Sequence, residues 1–304
     1  MITALLSSKE IGESVLKHII SKKLDSINNI QMAVGKNDEI IIYPIDYPSS
    51  INSTVRALSI ADSFIFVLNE QVTALDGEIA LALENSNLKN GAVLCFDYSD
   101  VNTFSKLFVN YKLGKSAIVK TGENIILKST GREKIDISYI SIDKHFIVKG
   151  IGNVLIGFNL GREIRKGEHL YLLPSMKEVT IKNIQLMDID VQSAPTSSHV
   201  GLALNNATEE DMNNNYALSS LKEIADNFEC KLSQTPLYKL DPIASKGLST
   251  AILEKSLNVS LEKKGEKLIA KLSKPVIKLG GEQLLVDASL SVGKNRIVGK
   301  FEII

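Results

Sequence analysis

Near the start of the chain, Ser7 is followed at an interval of five by Gly12, with Glu13 and Ser14 next. This is the interval of the phosphate-binding loop, Gly-x4-Gly-Lys-Ser/Thr. There the backbone amides cradle a polyphosphate, the lysine neutralises it and the hydroxyl reaches magnesium. The second glycine and the serine are present, but Ser7 stands for the first glycine and Glu13 for the lysine. A carboxylate in that place sets like charge against the phosphates. Two unit charges ~4 Å apart interact by about 4 kcal/mol at an effective dielectric of ~20, and inverting the sign roughly doubles the swing before screening. The spacing predicts a phosphate-loop frame that has lost its nucleotide, with no catalytic residue and neither GTP nor magnesium. Taken instead as an ordinary strand-to-helix turn, the same residues also predict no GTP.

Such a loop needs a strand before it and a helix after it. Ile2 to Leu6 is an apolar run, and from about Lys9 to Lys22 the residues Val15, Leu16, Ile19 and Ile20 form a helical stripe. The alternation continues with strands at Glu39–Ile45 and Ala61–Leu68, helices at Thr54–Ser59 and 76–86, and a strand beginning at Gly91. Strands alternating with helices predict an α/β sheet. Asp97 and Asp100, after the last of these strands, are expected to cap a helix and solvate a loop. Polarity rises around Gly131-Arg132-Glu133-Lys134, which places a linker there and a first domain over residues 1–134.

From Phe146 to Leu204 the pattern changes. Short apolar runs such as Val154–Gly157, Leu170–Leu173 and Val200–Leu204 are separated by turn signals such as Lys166-Gly167. No helical period occurs in this stretch, and the spacing predicts a small closed β-barrel over residues 135–218. Strand-like runs return after Asn227, with Lys263-Lys264-Gly265-Glu266 as a hairpin turn, and predict a second barrel over 219–304. The fold class is therefore α/β plus all-β, a P-loop-like α/β domain followed by two β-barrels.

The order Gly150, Gly152, Val154, Gly157, then Lys166-Gly167-Glu168, then Ile184-Gln185, then Val200-Gly201-Leu202 resembles the second domain of the translational GTPases. The similarity is greatest to elongation factor Tu and its selenocysteine-specific relatives, and more weakly it extends over the whole chain. The resemblance implies a magnesium- and phosphate-sensing segment Asp-x-Pro-Gly-His where this chain has Asp46, Pro48, Ser49 and Ser50. Asp46 and Pro48 match; Ser49 replaces the glycine, and Ser50 replaces the histidine that would place the attacking water. The guanine-reading Asn-Lys-x-Asp is likewise missing from Leu94–Asp100. The resemblance also implies a pocket for the aminoacylated 3′ end of tRNA on the middle barrel. Gln185 would form one wall and His199 could stack or hydrogen-bond at the other, while Ser197 and Ser198 depart from the family's loop. Met212 to Tyr216 replaces an Arg-Gly turn, and its asparagines suit a left-handed turn.

Charge limits the mode of binding. The 304 residues carry no net charge, but 1–134 sum to −1, 135–221 to −3 and 222–304 to +4. Only the last third leans basic, so any RNA contact is local. The lysines between Lys263 and Lys278 read first as a solvated strand face and second as an RNA contact. The absence of Trp argues against a stacking platform for single strands. Two remote cysteines, Cys95 and Cys230, and four scattered histidines make no metal spacing. No apolar run approaches the ~20 residues of a membrane span and no cleavable leader is evident, which predicts a cytoplasmic protein without membrane or DNA partners. Three functions follow in order: an elongation-factor-like pseudo-GTPase that binds tRNA or the ribosome; an interaction scaffold for other translation factors or tRNA-handling proteins; and a working GTPase with non-standard motifs.

Overall fold

The computed structural model describes residues 1–127 and 135–304; the linker expected at 131–134 lies outside the described residues. The chain divides into two compact units. One joins the described residues up to 127 with Asn227–Lys274 and Leu279–Ile304, and the other joins those from 135 to Asp226 with Pro275–Lys278.

The first unit opens with an α/β layer. Its elements are β1 (Ile2–Ser7), α1 (Glu13–Ile19), β2 (Ile20–Ile27), β3 (Ile30–Gly35), β4 (Ile40–Pro44), α2 (Asn52–Ile60), β5 (Ser63–Val67), α3 (Ala74–Glu84), β6 (Gly91–Cys95), α4 (Val101–Phe108) and β7 (Ala117–Lys120). The strand order is β2-β3-β4-β1-β5-β6-β7; β4, β1, β5, β6 and β7 run parallel, and β2 and β3 extend the sheet as antiparallel neighbours. Every residue of β1 and β5 is buried. That is why both strands are continuous apolar runs with little alternation, since parallel strands are covered on both faces. Leu5, Ile65 and Leu94 cluster with Val15, Leu16 and Ile19 of α1.

The first helix is shorter than the stripe from Lys9 to Lys22 predicts. Ile20 leaves helical geometry (φ −103°, ψ 150°) and pairs with Gly35, so Lys22 and Lys23 lie exposed on an edge strand. Lysines on a sheet edge discourage pairing with another chain. Asn28 and Asn29, both at positive φ, make the two-residue turn into β3 that Asn favours.

The same unit contains a closed barrel ordered β17 (Ile224–Gln234), β20 (Lys267–Ile277), β19 (Lys255–Lys264), β18 (Leu248–Ile252), β21 (Gly281–Asp287) and β22 (Ile297–Ile303). Lys264 pairs with Lys267 across a turn at Gly265 (φ 64°), where the sequence places a hairpin.

In the second unit, β8 (Tyr139–Val148), β9 (Gly152–Asn159), β11 (His169–Leu173), β12 (Lys177–Leu186), β15 (Ser198–Asn205) and β16 (Ala217–Ser219) form another closed barrel in the order β11-β16-β8-β9-β15-β12. The short strands β10 (Ile164–Arg165) and β14 (Ser193–Ala194) pair with each other, and β13 (Ile189–Val191) adds to β12. Leu155, Leu172, Ile181 and Leu202 lie in its core. The left-handed turn expected at 212–216 is instead the end of a helix, α5 (Glu209–Asn214). Thr208 and Asp211 form a capping box at its start, and Met212 enters the barrel core. That local cap outweighs the turn preference of the asparagines. Among the described residues no helix is long and apolar enough to cross a membrane.

Candidate functional site

The loop after β1 enters α1 at Glu13, as the spacing of Ser7 and Gly12 predicts. Gly12 caps the helix with extended backbone (φ −66°, ψ 157°), and its carbonyl accepts from the amides of Val15 and Leu16 at 3.0 and 3.1 Å. The loop hydroxyls are engaged locally. Ser7 Oγ accepts from the amide of Lys9 at 3.2 Å, and Asn69 Nδ2 donates to Ser7 and Ser8 at 3.3 and 3.1 Å. Glu13 Oε1 lies 3.0 Å from Lys23 Nζ on β2, and that lysine holds the Glu13 carboxyl below its ordinary range. Ser14 is exposed beside it. Loop and pair border a cleft of about 260 Å³ that Tyr43, Tyr47, Thr54 and Ile79 also line.

The segment after β4 is also tied down. Asp46 accepts from Asn29 Nδ2 at 3.0 Å and from the hydroxyl of Ser53, while its carbonyl accepts from the amide of Ser50. Ser49 is exposed, and the Ser50 hydroxyl accepts from the amide of Asn52. Pro48 offers its carbonyl to Arg296 Nη1 at 2.8 Å. That arginine is 2 % exposed and forks onto Glu78, itself 5 % exposed, with Nε–Oε1 at 2.9 Å and Nη2–Oε2 at 2.5 Å. Tyr47 completes the knot, donating to Glu78 Oε2 and the Leu75 carbonyl within 3.0 Å; burial, then the Glu78 charge, pushes its phenol far up. A second, largely buried pair joins Arg56 of α2 to Glu254, and Arg56 Nη1 donates to the Asn28 carbonyl at 2.8 Å. Within this unit the α/β layer and its barrel are therefore joined by two ion pairs, one fully and one largely buried. Sequence reasoning missed both. The one available signal was Glu78 standing before the apolar run Ile79–Leu83.

At the end of β6, Asp100 caps α4 by accepting from the Thr103 amide at 3.0 Å, and the Thr103 bonds keep its carboxyl low. Asp97 is exposed, and Phe96 stacks on Tyr98 with centroids 5.1 Å apart.

On the middle barrel, Gln185 of β12 pairs with Gly201 of β15, so Gln185 and His199 share one face of neighbouring strands, one step apart diagonally. Gln185 and Asn183 both donate to Asp190 Oδ1 at 2.8 Å and hold that carboxyl below its usual range. His199 Nε2 lies 3.3 Å from Asp143 Oδ2, and its ring is 4.9 Å from that of Phe158. The two residues named from sequence thus fall on one surface, each already engaged by an aspartate.

No protein-family model matches the chain. An uncharacterised protein of Methanocaldococcus jannaschii is 23 % identical over 87 % of this chain and 88 % of its own length. The selenocysteine-specific elongation factor of the same organism is 28 % identical over 62 % of this chain, which spans 46 % of that factor. Among solved structures, translation elongation factor SelB from Methanococcus maripaludis, in complex with the GTP analogue GppNHp, superposes over 99 % of this chain and 78 % of its own (TM-score 0.75, 17 % identity). A bacterial selenocysteine-specific elongation factor superposes over 99 % and 57 % (TM-score 0.71, 14 % identity). Sheet, barrels and site geometry together give this chain the fold of the selenocysteine-specific translation elongation factors, with Glu13 at the first residue of its first helix.

Proposed function

We propose that this chain is a translation-factor-like protein that binds tRNA or the ribosome without a GTP cycle. The carrying observation is the Glu13–Lys23 pair at the start of α1, in a chain that superposes on a nucleotide-bound elongation factor over 99 % of its length. The residues at the cleft do not fit a triphosphate with magnesium. The helix-start position carries a carboxylate, Asp46 is spent on Asn29 and Ser53, and Ser50 offers no general base. Nor does the β6 end offer a guanine-reading pair, since Asp100 is committed to its helix cap. The Pro48 carbonyl is bonded to a buried arginine, which opposes the ordering and release that γ-phosphate switching needs. For tRNA, the support is the shared face of Gln185 and His199 and the sequence match to an elongation factor.

The test is co-sedimentation with ribosomes together with protection of the aminoacyl-tRNA ester from hydrolysis. Activity in either supports the reading; failure in both removes it. A protein-interaction scaffold is the second reading, favoured by the net charge of −3 on residues 135–221. A partner captured in a pull-down that survives RNase and high salt would shift the balance to it.

A further inference from the structure

A second cleft opens in the same unit between α3, the last turn of α4 and the β17–β18 and β21–β22 loops of the barrel. Leu81, Leu107, Phe108 and Leu237 line it, and its volume of about 560 Å³ lies within the ~300–1,000 Å³ of preformed ligand sites. Phe108 is held between Phe104 and Tyr111, with ring centroids 5.2 and 6.0 Å away, so that wall is set by packing. Gly77 of α3 also borders the cleft. A glycine inside a helix is destabilising relative to alanine. Packing does not require one here, because a Cβ on Gly77 would meet no atom outside the helix within 4 Å. The glycine leaves free the space that a side chain would take.

The apolar surface does not stop inside the cleft. On its borders Leu107 is 57 % and Leu237 52 % exposed. A small molecule seated within would leave both wet, whereas a longer occupant covers them. No strand residue lines the cleft, so an extended peptide finds no sheet edge to pair with. The form that fits is a helix that sets one apolar side chain in the cleft and carries others along it at i+3, i+4 and i+7. Charge gives the sign of its polar face. The charged side chains lining the cleft are Glu78 and Lys294. Both Glu78 oxygens are taken by Arg296 and Tyr47, while Lys294 has no carboxylate partner among the described residues. The uncompensated charge is therefore positive. We propose that this cleft docks an acidic amphipathic helix of a partner protein, with a carboxylate facing Lys294.

The full chain is titrated with fluorescent stapled helices of about 18 residues, roughly five turns. They vary Leu, Phe and Met at the i, i+3, i+4 and i+7 anchors over a polar face of Glu or of Lys. Saturable binding is expected for members of the Glu series and weaker binding for their Lys counterparts, with Lys294→Glu reversing the preference. Gly77→Leu should cut binding by about tenfold or more, the loss of one buried anchor. It should melt no lower than the parent, because leucine is the better helix former and the space is open; this separates a filled cleft from a damaged fold. No saturable binding in either series, equal or stronger binding of the Lys series, or binding unchanged in Gly77→Leu overturns the proposal. So does self-association of the chain that Gly77→Leu abolishes, which would give the cleft to a second copy.

Discussion

At the scale of single residues, the carboxylates of this chain have partners already chosen. Glu13 is exposed and paired with Lys23, and exposed pairs contribute little to stability. Glu13→Lys should therefore leave Tm unchanged. It should also fail to confer GTP binding, because Asp46, Ser50 and the β6 end remain unsuited; tight nucleotide binding by this variant would place the whole loss on one residue. Asp287 is the opposite case, a buried carboxylate that supports a fold. Desolvation pushes it up, but bonds from Ser289, Tyr238 and Ser245 outweigh that and leave it below the ordinary range. A carboxyl depressed in the folded state contributes stability that is fully present above the unfolded value of about 3.9 and is lost as pH falls through the folded value. Acid unfolding followed between neutral pH and pH ~2 should thus be less steep below pH ~4 in Asp287→Asn than in the parent. An identical slope would mean that the carboxylate is not held low.

At the scale of elements, the α/β layer meets its barrel through α3, α2 and the segment after β4. Breaking a buried ion pair by removing one partner costs about 3–5 kcal/mol, because a lone charge is left behind, whereas replacing both by apolar groups can be close to neutral. Arg296→Met should therefore be more destabilising than the double variant Glu78→Leu with Arg296→Met. Chemical denaturation of the single and double variants checks this, and simple additivity of the two substitutions would contradict the geometry.

Much of the element layout was legible in the sequence. The buried runs of β1 and β5 and the Lys264–Lys267 turn are encoded by local pattern. What escaped was of two kinds. The end of α1 at Ile19 and the helix at Glu209–Asn214 were decided by an edge-strand pairing and a capping box, each stronger than the pattern around it. The Tyr47–Glu78–Arg296 knot joins residues 31 and 218 positions apart, and no periodicity reaches that far. Gln185 and His199 were found only because the resemblance named their strands.

At the scale of the molecule, the unit that joins the α/β layer to its barrel is braced from inside. Arg296 bonds the Pro48 carbonyl, and Arg56 reaches Glu254. An elongation factor that cycles must loosen this region when the γ-phosphate leaves. Here limited proteolysis should give the same fragments at the same rates with GDP, with GTP and with neither; a pattern that changes with the γ-phosphate would mean the brace opens. On the proposed function, this unit would meet tRNA or the ribosome without changing form, and of the three segments only residues 222–304 carry net positive charge.

The most direct test is titration of the full chain with a fluorescent guanine nucleotide and magnesium, followed to millimolar concentration. With Glu13 in the lysine's place, no saturable binding is expected. A saturable, magnesium-dependent signal that unlabelled GTP displaces would contradict the account at its centre.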